Sequence, residues 1–259
     1  MQRKKNRDIE WLEFDLLANV PKISHGVFLR HGGFSPSPYT SLNIGDNVGD
    51  DPQNVHKNFL LILESSKIPL SARLRQCHGK EIHNIDSHEK VHSSLLGDAI
   101  TTNIPGIGLS IGHADCQAAI FYDPIHHALA NVHAGWRGSA LNIYDHTIQF
   151  MKKTYGTSAK ELLVCISPSL GPKSAQFINY QEELPQAFWG FQIAPEYFDF
   201  WEISRWQLQK SGVLLHHIEI ANMDTFSNPQ DFFSYRRDRQ TGRHGTIVML
   251  RESLRKDEG

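Results

Sequence analysis

Residues 106–166 limit the fold of this chain more than any other stretch. Residues 106–112 (GIGLSIG) and 117–122 (QAAIFY) are apolar runs of strand length, each too short to be a buried helix. Asp123-Pro124 marks a turn, and residues 128–132 (ALANV) read as the returning strand. A helix is expected from about Ser139, because Leu141, Tyr144, Ile148 and Met151 fall three, four and three residues apart on one face, and Gly156 is a natural stop. Ser158 and Glu161 suggest a capping box for a short second helix, and residues 162–166 (LLVCI) a buried strand.

The flanks add elements in no regular order. Residues 25–50 read as a short strand and then a long loop rich in Gly, Ser, Pro and Asn, of the kind that is functional or poorly ordered in a compact domain. Asp51-Pro52 then opens a helix, with Val55, Phe59, Leu60 and Ile62 as its apolar face. The last third predicts a helix over 198–210 ended by Gly212, and strands over 218–221, 232–237 (FFSYRR) and 246–250. Regular βα units are missing, so a doubly wound sheet is not expected. There is no GxGxxG after a strand and no GxxxxGK[ST], which leaves nucleotide-cofactor and P-loop readings unsupported.

Composition narrows the setting. The 259 residues are 40% hydrophobic and 21% charged, as in a folded globular protein with one core. Twenty-six basic and 28 acidic side chains leave a net charge of −2, which draws the chain to neither nucleic acid nor an acidic membrane. The basic start is followed at once by Asp8, Glu10, Glu13 and Asp15, where a signal peptide needs an apolar run, and no 18-residue apolar stretch is present. The three cysteines, Cys77, Cys116 and Cys165, form no disulfide framework. A reducing, cytoplasmic setting is expected, in which a thiol is a core residue, a ligand or a nucleophile.

Three segments could carry chemistry. In Gln76-Cys77-His78-Gly79 the histidine is placed at a turn with its ring projecting. In Gly112-His113-Ala114-Asp115-Cys116 the thiol is flanked by polar and small residues, which suit a ligand or thiolate better than a core plug. In His133-Ala134-Gly135-Trp136-Arg137-Gly138 two glycines bracket a Trp-Arg pair before a helix; Arg137 would suit a carboxylate or phosphate, while Trp136 serves equally as core or site. Two imidazoles and a thiolate from His78, Cys116 and His133 would suit zinc, with a fourth position open, although separations of 38 and 17 residues match no compact metal motif. The same residues also allow Cys116 as a nucleophile with His133 as its base. Cys165 reads as core, Cys77 as pointing away from the site, and Arg236, Arg237 and Arg243 as solvated or structurally paired.

The order of HGVFLRHGG, TSLNIGDNVGDDP, QCHG, ADC, HAGWRG, FFSYRR and TGR along the chain resembles the YfiH-like, or laccase-domain, family over about residues 25 to 250. The resemblance implies an α+β fold of mixed β-sheets with flanking helices in a single compact domain. That domain would span residues 25–252, after an N-terminal extension and first strand (1–24) and before a C-terminal tail (253–259). It implies one metal, zinc rather than copper, on His78, Cys116 and His133. The implied activity is phosphorolysis of adenosine, inosine and methylthioadenosine to free base and ribose 1-phosphate, with adenosine deamination beside it. Cys116, Asp115 and Arg137 are then the candidate catalytic residues, Arg30 and Asn43 the candidate substrate-binding ones, and a nucleoside and phosphate the expected partners. The alternatives are a copper-dependent polyphenol oxidase and a cysteine-dependent hydrolase that edits a peptidoglycan precursor. Two positions depart from the family pattern: Asp224-Thr225 stands where many members have Cys-Thr, and Ala175-Gln176 where many have Tyr-Glu.

Overall fold

A computed structural model describes residues 1–92 and 94–252; the expected tail, 253–259, lies outside the described residues. The architecture is α+β, with mixed sheets and flanking helices. One sheet runs in the order Gln2–Asn6, Ile9–Glu13, Ile23–Phe28, His244–Leu250, Ile107–His113, Leu70–Arg75, Leu95–Leu96. Its first five strands are antiparallel to their neighbours and the last two pair in parallel. A second runs Ile218–Ile220, Leu163–Ile166, Gln117–Asp123, Ala128–Ala134, Ala99–Thr102, Ile82–Asn84, with parallel pairs at both edges, and a small third pairs Gln192–Ala194 with Tyr197–Phe198. Residues 1–24 add a hairpin to the first sheet, where Trp11 pairs with Phe28 and Leu12 with Val27.

Strand alternation determines the layers, because successive side chains leave opposite faces of a sheet. Leu109, Ile111 and Val248 of the first sheet meet Ile120, Tyr122 and Leu129 of the second in a shared core. The far face of the second sheet, including Ala119, Phe121 and Val132, packs on Tyr144, Ile148 and Met151 of helix Ile143–Tyr155 and on Leu208 of helix Phe200–Lys210. The far face of the first sheet packs Ile247 and Met249 on Phe59 and Ile62 of helix Pro52–Ser66. Each of these large apolar side chains contributes about 1.5–3 kcal/mol when fully buried. An aromatic satellite of Phe177, Phe188, Phe198 and Phe200 packs with Trp136 beside the second sheet.

Several local expectations change. Leu60 is exposed, so helix Pro52–Ser66 buries Val55, Phe59 and Ile62 as its apolar side chains, with Asn58 beside them. The helix expected from Ser139 is two pieces, Trp136–Ala140 and Ile143–Tyr155, broken at Asn142, whose backbone is left-handed (φ 52°) and whose side chain caps Asp145 N–H. Leu141 falls in the break and is exposed. Ser158 makes no side-chain cap, and only a 3-10 turn follows at Ala159–Glu161. Residues 232–237 are not a strand: Phe232 and Phe233 are both buried, and Ser234 caps the short helix Tyr235–Asp238 through Arg237 N–H. The long loop before helix Pro52–Ser66 is pinned by buried Asn58, whose side chain bonds Phe34 N–H, Ser35 Oγ and the carbonyls of Ser41 and Asn43.

Candidate metal centre and active site

Register brings the three expected ligands to one end of the layer between the sheets. His133 follows Leu129 and Asn131 on the inward face of its strand, and Ala118 is its cross-strand partner. Cys116 precedes strand Gln117–Asp123 by one residue and keeps the parity of Ala118 and Ile120. His78 lies on the segment crossing from Leu70–Arg75 in one sheet to Ile82–Asn84 in the other. Its Nε2 is 4.0 Å from Cys116 Sγ, and its ring meets that of His133 edge to face at 4.9 Å between centroids. One ligand atom from each of the three lies within 4.8 Å of the others. Tetrahedral zinc with one thiolate and two imidazoles sets its ligand atoms about 3.3–3.6 Å apart. The three residues fit one ion after a closure of a few tenths of an ångström to about 1.5 Å. No other His, Cys, Asp or Glu trio among the described residues is grouped closely enough to hold a metal.

Asp98 organises the trio and was not anticipated from the sequence. It sits just before strand Ala99–Thr102, where Val132 pairs with Ala99, so Asp98 is the next residue opposite His133. Its Oδ1 accepts from His133 Nδ1 at 2.8 Å and His78 N–H at 3.0 Å; its Oδ2 accepts from Gly79 N–H at 2.7 Å, Cys77 N–H at 3.2 Å and Cys77 Sγ at 3.1 Å. Burial alone would raise the carboxyl, but the His133 and Cys77 hydrogen bonds prevail and hold it well below the usual carboxylate range. An ionised acceptor fixes the proton on His133 Nδ1 and leaves Nε2 for the metal, the usual second partner of a ligating imidazole. The three successive N–H groups gathered by Asp98 also hold His78 in a left-handed backbone (φ 60°), a conformation non-glycine residues rarely adopt.

The thiol and imidazole perturb each other. Burial pushes the Cys116 thiol up, but the charge and hydrogen bonding of His133 and His78 bring it down to about 6. Burial pushes His133 down, and the Cys116 thiolate with Asp98 raises it to about 9. Without metal the pair is therefore thiolate and imidazolium near neutral pH. His113 steadies the backbone beside it, with Nδ1 against Cys116 carbonyl at 3.1 Å and Nε2 against Thr246 Oγ1 at 2.8 Å. Cys165 is fully buried in the shared core, and its thiol is pushed well up by burial.

Neither Gly79, Gly135 nor Gly138 has a left-handed backbone. Gly135 instead gives clearance: a Cβ there would lie 2.9 Å from His78 Cδ2 and 3.1 Å from Cys116 Sγ.

Two cavities meet at His78 and Cys116. One, of about 290 Å³, has Trp136, Phe177, Phe200 and Leu170 in its walls, with Arg137 and Arg239. The other, of about 530 Å³, is lined by Arg73, Arg75, Arg243, Asp46 and Gln76. His78, Cys116 and Tyr235 line both. Trp136 thus belongs to a cavity wall and also packs edge to face on Phe177, and Arg137 lies over its indole at 4.3 Å. Asp115 lines the aromatic cavity, but both its oxygens are engaged, with Thr225 Oγ1 at 2.7 Å and Arg236 N–H at 2.6 Å.

The structure does not bring Arg30 and Asn43 to either cavity. Arg30 donates to the carbonyls of Thr40 and Pro229 and stacks on Phe233, while fully buried Asn43 bonds Gly45 N–H, Arg243 N–H and Asp50. Both brace the loop around the cationic cavity. Arg236 and Arg237 are spent largely on backbone carbonyls; Arg237 also pairs with Asp238, and Arg236 lines the aromatic cavity. Arg243 differs: its Nη1 bonds Thr241 and Gly242 carbonyls, while Cys116 and Asp115 act on its charge against the downward push of burial. At the two departures from the family pattern, Asp224 accepts from Gly171 N–H and Ser174 Oγ, and Gln176 Nε2 bonds Glu196.

Comparison with known proteins identifies the family of the chain. The family model described as "Multi-copper polyphenol oxidoreductase laccase" matches residues 24–251. A protein of Bacteroides thetaiotaomicron named purine nucleoside phosphorylase is 32% identical over 89% of this chain and 92% of its own length. The Escherichia coli protein named purine nucleoside phosphorylase YfiH is 29% identical over 85% of this chain and 91% of its own. The crystal structure of YlmD from Geobacillus stearothermophilus superposes with a TM-score of 0.85 at 28% identity, covering 96% of this chain and 98% of that one. The chain is a member of the YfiH-like laccase-domain family, and the trio of His78, Cys116 and His133 lies within the matched region.

Proposed function

We propose that this protein is a zinc-dependent purine nucleoside phosphorylase, acting on inosine, adenosine and methylthioadenosine. The observation that carries the reading is the aromatic cavity ending on His78 and Cys116 of the metal trio, because it offers an apolar slot beside what would be a Lewis-acid site. A purine stacks favourably between such walls, and relatives about 30% identical are named purine nucleoside phosphorylases.

The reaction joins a phosphate oxygen to C1′ of the ribose while the bond from C1′ to the purine nitrogen breaks, its electron pair going to the base. The proton carried by hydrogenphosphate ends on the base, so the products are free purine and ribose 1-phosphate. Zinc held by His78, Cys116 and His133 would supply a Lewis acid next to the reacting sugar. Asp98 orients His133, and Asp115, through Thr225 and Arg236, holds the turn that presents Cys116. Trp136, Phe177 and Phe200 exclude water from the base, and Arg137, free of any ion pair among the described residues, is available to a polar group of the nucleoside. Deamination of adenosine would use the same cavity with a metal-activated water.

One trio with one thiolate matches a single ion, which argues against a multicopper oxidase despite the description of the family model. The test is to incubate purified protein with inosine and phosphate. Hypoxanthine and ribose 1-phosphate are expected in equal amounts, and the absence of both at high enzyme concentration overturns the proposal. The lowered Cys116 thiol beside His133 favours one rival, a metal-free cysteine hydrolase. A thiol-alkylating reagent separates the two. A zinc-bound thiolate is protected until a chelator is added, whereas a free catalytic thiolate reacts at once.

A further inference from the structure

We infer that the two cavities divide the reactants, with the nucleoside in the aromatic cavity and inorganic phosphate in the cationic one, held by Arg75 and Arg243. This rests on the phosphorylase reading and adds a location for the second substrate. Displacement at C1′ needs the nucleophile and the departing base on opposite faces of the sugar. Two cavities sharing His78, Cys116 and Tyr235 offer that arrangement, with the ribose at the shared residues.

The cationic cavity has the chemistry of an oxyanion site. Arg73 is already committed, bonded to Ile44 carbonyl, paired with Asp46 at 3.2 Å and stacked on Phe59. Arg75 and Arg243 pair with no carboxylate among the described residues. Arg243 is deep in the wall, its backbone N–H fixed by Asn43 and its Nη1 by two carbonyls, which leaves Nε and Nη2 for a ligand. Arg75 ends strand Leu70–Arg75, and its exposed side chain makes no hydrogen bond among the described residues. One fixed and one adaptable guanidinium beside the trio suit a tetrahedral dianion. Asp46, held by Arg73 at the rim, is the one carboxylate in this wall.

Arg75→Ala tests the assignment without disturbing a fold contact. With inosine as the co-substrate, its KM for phosphate is expected to rise about 10- to 100-fold, as for loss of one charge-assisted hydrogen bond, while KM for inosine changes less than twofold. Arg75→Lys should recover part of the loss. Arg137→Ala should instead raise KM for inosine. The inference is overturned if Arg75→Ala leaves KM for phosphate unchanged, or if Arg137→Ala is the variant that raises it. Calorimetry with inorganic phosphate alone gives a separate reading. Wild-type binding that weakens in Arg75→Ala supports the cationic site, and no wild-type binding overturns it. If phosphate binds in this way but no hypoxanthine is released, the phosphorylase reading fails while the oxyanion site stands.

Discussion

Replacing Asp98 by Asn removes one charge and almost no volume, yet it should disable the metal site. The five donors on Asp98 divide between its two oxygens, and an amide can serve only one set. If the new NH2 group takes the place of Oδ1, it faces His133 Nδ1, which must then accept; the imidazole proton moves to Nε2, the atom the metal needs. If it takes the place of Oδ2, it opposes Gly79 N–H and Cys77 N–H, and the left-handed turn at His78 loses its anchor. Loss of such an outer partner typically weakens metal binding about 10- to 100-fold, or about 1.4–2.7 kcal/mol. Two orphaned, part-buried donors cost up to about 1–3 kcal/mol each, so the metal-free fold should lose as much as about 2–6 kcal/mol as well. Competition with a chromophoric chelator measures the first quantity and urea unfolding the second. Because the folded-state carboxyl is depressed, its stabilising share is present above the unfolded-state value near about 4 and fades as pH falls below it. The stability gap between wild type and Asp98→Asn should therefore narrow in acid. An Asp98→Asn protein that binds zinc within twofold of wild type refutes this reasoning.

Other outcomes follow from the same geometry. Cys116→Ala should collapse metal content with little change in the fold, whereas Cys165→Ala should keep the metal and lose about 1 kcal/mol of stability on urea unfolding, because its thiol lies in the shared core. Gly135→Ala keeps every ligand but crowds His78 and Cys116; overpacking of about 1–3 kcal/mol should appear as weaker metal binding in chelator competition. With Cys116 ionising near about 6 and His133 near about 9, zinc binding at pH 7.5 should release about one proton from this pair. Below pH 6 the count should approach two, and above pH 9 it should fall towards none, as read by calorimetry in buffers of different ionisation enthalpy.

The parts of this site that are legible in the sequence depend on neighbours along the chain. Cys116 and His133 flank a hairpin whose turn, Asp123-Pro124, is visible, so their approach follows from strand lengths. Asp98 depends on the register between Ala99–Thr102 and Ala128–Ala134, and no local pattern marks a single acid 35 residues from its partner. Residues 232–237 misled for a related reason. Two adjacent aromatics suggest a strand, yet Phe232 and Phe233 are both buried, which strict alternation against one core does not allow, and the Ser234 cap was the better signal. Leu141 fitted a helical face by spacing, but Asn142 accepts a left-handed backbone and restarts the helix one residue later. Arg30 and Asn43 sit in a polar loop that looked like a binding loop. Arg30 instead ties the loop to Pro229 through backbone carbonyls, and Asn43 fixes the backbone of Arg243.

The most direct test of the metal centre is X-ray absorption at the zinc edge, with metal analysis, on protein purified without added metal. The account predicts one zinc per chain, one sulfur at about 2.3 Å and two imidazole nitrogens at about 2.0–2.1 Å, with the sulfur shell lost in Cys116→Ala. A zinc shell without sulfur, stoichiometric copper in place of zinc, or full metal occupancy in Cys116→Ala would contradict it.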